Sequence, residues 1–244
     1  MSIPFAVDGG LLLAAAAVFG GAFIQSLTGF GFAMFAAPLL AVVAPHMVPI
    51  PILVLTLIFT AGLAWRERRG VDWRELCWIL AGRMPMTVIA GAAVAFLAPG
   101  VISLVFALFV LAGVAVSLAG WKVAPTPMSL TIAGGLSGFF GTLTSIGAPP
   151  LALVYQNERG PKIRGTLACN IIVGSFVSLL ALGSAGAMGP AEIYGTLVLV
   201  PFGVAGLAVS RHWIGFIDAG RLRPLLLAIS ALAAIFILFR EILN

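Results

Sequence analysis

The chain has 244 residues, of which 61% are hydrophobic and only 9% are charged, against about 25% charged in an average soluble domain. A soluble core of this size cannot hide so much apolar surface, so the composition excludes a soluble globular protein and makes lipid the solvent. The formal net charge of +5 comes from short basic clusters between apolar runs, which is typical of membrane loops and argues against nucleic-acid binding.

Apolar runs separated by glycine, proline and charged residues predict ten segments. All should be helical, because lipid offers no water to an exposed backbone. The second and seventh segments are short for a hydrocarbon layer of about 30 Å. The pairs that contain them are therefore either re-entrant hairpins or short crossings. The predicted segments are 9–27, 30–44, 49–65, 76–97, 101–120, 128–143, 147–156, 166–185, 191–210 and 222–240.

Positive charge is unevenly distributed among the loops and predicts their sidedness. Basic loops should face the cytoplasm, which places the N-terminus and the C-terminus outside. No basic residue precedes the first apolar run, so we expect that run to be retained rather than cleaved as a secretory signal. The basic residues follow segments three, five, seven and nine: Arg66, Arg68, Arg69, Arg74, Lys122, Arg159, Lys162, Arg164, Arg211, Arg221 and Arg223.

The two halves of the chain resemble each other. At an offset of 116 residues, "LTGFG" (27–31) lies over "LTSIG" (143–147), and Pro85 lies over Pro201. The basic loops of one half correspond to neutral loops of the other, so equivalent loops face opposite sides. The sequence therefore predicts an all-α polytopic membrane protein built from two inverted-topology repeats, residues 1–121 and 122–244, of about five helical segments each. The alternative is a plain helical bundle whose loop charges alternate by chance.

Polar breaks occur at equivalent positions of the two halves, in "IQSLTGFGFAMFAAP" (24–38) and "TLTSIGAPP" (142–150). We expect the short or re-entrant helices to meet near the midplane, where irregular backbone is tolerated if it lines a cavity. Helix N-termini and hydroxyl groups there would form an anion site without adding charge. The alternative is that small and hydroxylated residues only allow close helix packing. The candidates at the two tips are Gln25, Ser26, Thr28, Gly29, Gly31, Thr142, Thr144, Ser145 and Gly147.

Two further polar residues lie inside predicted segments. Arg83 is about two turns into segment four, where a buried guanidinium is costly unless it is paired. It either binds an anionic substrate or extends to the cytoplasmic surface. Asn170 is a second binding candidate, with interhelical hydrogen bonding as its alternative role.

Several kinds of chemistry are poorly supported. No Asp or Glu lies well inside a segment, which argues against a carboxylate proton relay or cation site, and no cluster of metal ligands occurs. The motif "GLSG" (135–138) has the form seen in rhomboid intramembrane proteases, but no histidine is placed to act as base for Ser137. We therefore predict no enzyme activity, no catalytic residue, no metal site and no cofactor.

Three stretches carry a family resemblance: "GGAFIQSLTGFGFAMFAAPLL" (20–40), "RGVDW" (69–73) and "GGLSGFFGTLTSIGAPPLAL" (134–153). They resemble the TauE/SafE sulfite exporter family, and the resemblance covers essentially the whole chain. It implies a multi-pass bacterial inner-membrane protein that transports, usually exports, small sulfur-containing anions such as sulfite or organosulfonates. Phe32, Ser145 and Ala148 stand where many members of the family have glycine.

The predicted function is therefore export of a small anion held between the two glycine-rich tips. The predicted partners are that anion and the lipid bilayer, and the architecture is also compatible with a homodimer. Two alternatives are a non-transporting membrane scaffold and a permease for a different small anion.

Overall fold

The computed structural model describes residues 9–28, 31–119, 123–155, 160–210, 212 and 219–243. Within these residues the chain forms ten α-helices and two short 3₁₀ turns, and no strand. One helix corresponds to each predicted segment, which confirms the all-α prediction. The helices are α1 (Gly9–Thr28), α2 (Phe32–Val43), α3 (Ile50–Glu67), α4 (Trp73–Val94), α5 (Pro99–Ala119), α6 (Pro127–Thr144), α7 (Ala148–Val154), α8 (Pro161–Ser184), α9 (Pro190–Ser210) and α10 (Ala219–Leu243).

Helices α4 and α8 begin several residues before their predicted segments. Asp72 is the N-cap of α4, and its side chain accepts a hydrogen bond from the backbone N–H of Glu75. Pro161 opens α8 at a position where a missing N–H costs little. The apolar runs of segments four and eight therefore mark only part of α4 and α8, since the polar first turn of each is also helical.

Five described helices are long and apolar enough to cross a membrane: α1, α3, α4, α8 and α9. The chain is a polytopic α-helical membrane protein. By contrast, α2 has 12 residues and α7 has 7. At a rise of about 1.5 Å per residue they extend about 18 Å and about 10 Å, which is too short for a hydrocarbon layer of about 30 Å.

The helix packing relates the two halves of the chain. α1 packs against α2, and α6 packs against α7. If each helix of the first half is matched with the helix five places later in the chain, α4 corresponds to α9 and α1 to α6. The contact of α4 with α6 then corresponds to the contact of α9 with α1. The contacts of α3 with α8 and of α5 with α10 join two matched helices, so this set of contacts is the same for both halves. Two repeats related by a pseudo-two-fold axis would pack in this way. The predicted boundary between the repeats, at residue 121, lies outside the described residues.

Glycines allow α4 and α6 to approach each other closely. A β-carbon on Gly82 of α4 would overlap the carbonyl of Thr131, and one on Gly134 of α6 would overlap the carbonyl of Ile79. Small residues at such contacts let two helix backbones pack directly against each other in a membrane. This close contact at Gly82 fixes the orientation of α4 relative to α6 at the neighbouring residue, Arg83.

A polar cluster joins the loop before α4 to the start of α8. The Nζ of Lys162 lies 2.8 Å from Oε1 of Glu75 and 3.2 Å from Oδ2 of Asp72. The hydroxyl of Tyr155 donates to Oε2 of Glu75 at 2.6 Å. The cluster therefore links the first half of the chain to the second at the ends of α4 and α8.

Candidate functional site

A small cavity lies where the α1–α2 and α6–α7 hairpins meet, and α3, α4 and α8 complete its wall. Its volume is about 40 Å³. Since one water needs roughly 10–15 Å³ measured in this way, the cavity has room for a ligand of only a few non-hydrogen atoms. The lining residues are Gln25, Ala33, Met34, Leu53, Thr56, Arg83, Ser137, Gly141, Ser145, Ile146, Gly147, Ala148, Leu151, Leu167, Asn170, Ile171 and Ser175.

Arg83 supplies the only formal charge among these lining residues. The residue is 3% exposed, so its guanidinium does not extend to the surface, and the snorkelling interpretation is wrong. Nη1 donates to Oγ of Ser137 at 3.0 Å, while Nε has no hydrogen-bond partner among the described residues. No described carboxylate lies within 4.0 Å of the guanidinium. A buried charge without a counter-charge costs several kcal/mol, and an anion in the cavity would offset that cost.

The guanidinium reaches the cavity through gaps left by glycine. A β-carbon on Gly174 of α8 would overlap its Cζ and Nε atoms, and one on Gly138 of α6 would overlap the carbonyl of Arg83. A β-carbon on Gly141 would lie 3.6 Å from Nη2, which is ordinary contact. The absence of a side chain at these glycines of α6 and α8 therefore leaves the space that Arg83 occupies. The same absence allows the helices to pack closely.

Asn170 and Thr56 add unpartnered polar groups to the cavity wall. Asn170 is 1% exposed, and neither its amide nitrogen nor its amide oxygen has a hydrogen-bond partner in the described part of the chain. The hydroxyl of Thr56, on α3, is likewise buried and has no partner within the same ranges. Buried polar groups without partners are rare, and several around one cavity indicate a place for a polar ligand.

Gln25 joins the first tip to its neighbours. Its Oε1 accepts from the backbone N–H of Phe32 at 3.0 Å, and its Nε2 donates to Oγ1 of Thr60 at 3.0 Å. The side chain therefore fixes the start of α2 to α1 and α3, and Ala33 and Met34 in the first turn of α2 face the cavity.

The other predicted residues of the first tip are not part of the cavity wall. Ser26 is half-buried, and Gly31 is the N-cap of α2; neither lines the cavity. Gly29 and the side chain of Thr28 lie outside the described residues.

Ser145 and Gly147 bring the second tip to the cavity. Ser145 ends α6 in the left-handed region at φ 64°, and its hydroxyl donates to the carbonyl of Pro49 at 2.9 Å. A β-carbon on Gly147 would lie 2.7 Å from the carbonyl oxygen of Ser137, so only glycine fits there without a shift. Pro149 and Pro150 have no N–H group, so this tip offers fewer backbone donors than a helix start of ordinary sequence.

Thr142 and Thr144 do not line the cavity. The hydroxyl of Thr142 donates to the carbonyl of Gly138 and is 2.8 Å from Oγ of Ser178. The hydroxyl of Thr144 donates to the carbonyl of Phe140 and accepts from the N–H of Ile146. Both threonines therefore hold the end of α6 rather than line the site.

Three lining hydroxyls were not among the predicted binding residues: Thr56, Ser137 and Ser175. The sequence motif draws attention to Ser137 only as a nucleophile, yet in the structure its hydroxyl accepts a hydrogen bond from Nη1 of Arg83. Its position four residues before Gly141 places the two on one face of α6, which is the signal that could have identified it. No group of three or more potential metal ligands occurs in the described ranges.

The fold and the cavity define a polytopic membrane protein with a small cavity between its helices, lined by apolar side chains, several polar groups and one arginine. The chain belongs to the sulfite exporter TauE/SafE family, whose family model matches residues 13–237. The family is one of membrane transporters for sulfite-type anions. No curated protein and no solved structure matches the chain.

Proposed function

We propose that the protein exports small sulfur oxyanions such as sulfite, and that the anion is held between the two hairpin tips. One observation carries the proposal: the guanidinium of Arg83 is buried beside the cavity, and no described carboxylate pairs with it. A structural arginine in this position would be expected to have a counter-charge from the protein. An anionic ligand supplies that charge and can accept a hydrogen bond from Nε, which has no partner among the described residues.

The surrounding groups suit an oxyanion. Asn170 and Thr56 offer amide and hydroxyl donors that have no partner among the described residues. Oxyanions are bound through several hydrogen bonds from fixed donors, and a charged acceptor makes each of them stronger. The lining residues come from both halves of the chain, so rocking of one half against the other would open the cavity to either side in turn.

The membrane potential favours export. With an inside-negative potential, an anion leaves the cytoplasm with a gain of about 2.3 kcal/mol per charge per 100 mV. We place the protein in the bacterial inner membrane with its basic loops in the cytoplasm and its termini outside, following the distribution of Lys and Arg. A homodimer is compatible with this arrangement.

Efflux of labelled sulfite from proteoliposomes tests the proposal. Wild-type protein should release sulfite faster than empty liposomes, and Arg83→Gln should lower the rate to the empty-liposome level. Arg74→Gln is the matched control, because Arg74 lies on the same helix and is exposed. If no anion in a panel of sulfite, sulfonates and other small anions is released by the wild type, the protein is not a transporter of this class, and the scaffold alternative is favoured.

A further inference from the structure

The charge of the cavity is set by one side chain. Arg83 contributes one positive charge, and no other lining residue is titratable near neutral pH. A singly charged anion would neutralise the site, whereas a doubly charged anion would leave one net negative charge buried among apolar helices. Burying an uncompensated charge is costly in a medium of low dielectric constant.

The helices packed around Arg83 do not change this balance. α1, α2, α6 and α7 have no titratable side chain, and those of α3 lie in its last turn. α8 carries Lys162 and Arg164 in its first turn and Cys169 further on. On α4 itself, the nearest carboxylate in sequence is Glu75, which is paired with Lys162. Lys162 and Glu75 neutralise each other at the helix ends, so Arg83 decides the charge of the cavity.

The hydrogen-bonding groups of the cavity include an acceptor as well as donors. Nε of Arg83 and Nδ2 of Asn170 are donors without a partner, and Oδ1 of Asn170 is an acceptor without a partner in the described residues. A fully deprotonated oxyanion can only accept hydrogen bonds, so it would leave Oδ1 of Asn170 unsatisfied. An anion that carries one proton can donate to Oδ1 while it accepts from the other groups.

We propose that the site selects the singly charged, protonated form of a small oxyanion, hydrogensulfite, over the doubly charged sulfite and sulfate ions. This inference rests on the proposed function, since it takes the cavity as the anion site. The volume of about 40 Å³ also disfavours organosulfonates with long carbon chains. The transported species therefore carries one charge and one proton out of the cell.

The selection makes transport depend on pH through the substrate. The doubly charged sulfite ion takes up one proton near neutral pH to become hydrogensulfite, so the hydrogensulfite fraction falls on the order of tenfold for each pH unit above that pKa. At constant total sulfite, the rate of efflux should fall in the same proportion. At constant hydrogensulfite, with total sulfite raised to compensate, the rate should not change with pH.

These two series, measured on wild-type proteoliposomes, form the test. A rate that follows total sulfite, or that rises with the doubly charged form, would overturn the inference while leaving the proposed function intact. Sulfate, which remains doubly charged over the same range, should not inhibit efflux when added in tenfold excess. Inhibition by sulfate as strong as that by hydrogensulfite would also overturn it. If the wild type transports no anion at any pH, the proposed function fails and this inference with it.

Asn170→Leu tests the role of the acceptor. The variant should still bind an anion through Arg83, but its preference for hydrogensulfite over sulfate in the competition assay should fall about tenfold or more, the equivalent of about 1.4 kcal/mol. Cys169→Ala is the matched control, because Cys169 is the preceding residue on α8 and does not line the cavity. An unchanged preference in a folded Asn170→Leu variant would exclude Asn170 as the selecting group, and the wild-type pH series would still decide whether selection exists.

Discussion

Arg83 and Gly174 are in such close contact that a β-carbon on residue 174 would overlap the guanidinium. The two residues lie on α4 and α8, which come from different halves of the chain. The buried position of the only charge among the cavity-lining residues therefore depends on a glycine of the opposite half. This contact makes the placement of Arg83 testable without changing the arginine itself.

Gly174→Ala should displace the guanidinium and lower sulfite efflux by about tenfold or more, the equivalent of about 1.4 kcal/mol of lost interaction. Gly183→Ala is the matched control, because Gly183 is on the same helix and a β-carbon there would have no described atom within 4 Å. It should keep the wild-type rate and stabilise α8 by up to about 1 kcal/mol. Equal rates in the two variants would show that the contact does not position Arg83 for transport.

Gln25 should matter for stability as well as for the site. Gln25→Met removes the acceptor of the Phe32 N–H and the donor to Thr60. We expect the free energy of unfolding to fall by about 1–3 kcal/mol, because buried groups lose their partners. Thermal unfolding in detergent measures this change. Ser26→Ala, at the half-buried neighbouring position, should have little effect, and a similar loss in both variants would contradict the assigned role of Gln25.

Ser145 combines an unfavourable backbone conformation with a favourable hydrogen bond. The left-handed conformation costs a non-glycine residue about 1–2 kcal/mol, while the bond to Pro49 contributes about 1 kcal/mol. Ser145→Gly should relieve the strain and lose the bond, with a net change near zero. Ser145→Ala should retain the strain and lose the bond, and should unfold more easily. Urea or thermal unfolding of the two variants separates these effects, and greater stability of the alanine variant would refute the interpretation.

Asp72 should make the stability of the first half sensitive to acid. Its carboxylate accepts a hydrogen bond from the backbone N–H of Glu75 at 3.0 Å, and its Oδ2 lies 3.2 Å from Nζ of Lys162. The hydrogen bond from the Glu75 backbone in particular lowers the pKa of Asp72 below its ordinary value of 3.8. Because the folded-state pKa is lowered, the stabilisation is complete above pH 3.8 and is lost as the pH falls through the lower folded value.

Asp72→Ala should therefore cost about 0.5–2 kcal/mol at neutral pH, as loss of an N-cap does, and less in acid. Asp72→Asn keeps a capping oxygen but has no charge to titrate, so its melting temperature should depend less on pH below 3.8 than that of the wild type. Melting temperatures recorded across that range provide the measurement. Identical pH profiles for the Asp72→Asn variant and the wild-type protein would show that the carboxylate contributes nothing in its charged form.

The helices could be predicted from the sequence because lipid imposes a strong constraint. Apolar run length identified every helix, and the glycine and proline breaks placed the ends of α2 and α7. The helix starts were predicted less well, since the polar first turns of α4 and α8 resemble loop sequence. Their helical state depends on the cap at Asp72 and on contacts with the rest of the fold.

The direction in which a hydroxyl points was harder to predict. Thr142 and Ser145 are less than one turn apart, yet Ser145 lines the cavity and Thr142 bonds back to the carbonyl four residues before it. The hydroxyls of serine and threonine in helices often donate to a backbone carbonyl of the preceding turn in this way. Their presence in a segment therefore does not by itself assign them to a binding site. The sequence does not single out Thr56, because Thr56 and Thr60 are isolated hydroxyls in an otherwise apolar stretch of α3. The burial of Thr56 without a partner among the described residues is what identifies it.

The most direct test of the central claim is the position of a bound anion. Crystals of the protein soaked in selenite, a heavier analogue of sulfite, would locate the anion by its anomalous scattering. We predict a peak in the cavity within hydrogen-bond distance of the Arg83 guanidinium and the Asn170 amide. A peak elsewhere in a protein that transports sulfite, or a peak in the cavity that persists unchanged in Arg83→Gln, would contradict the account.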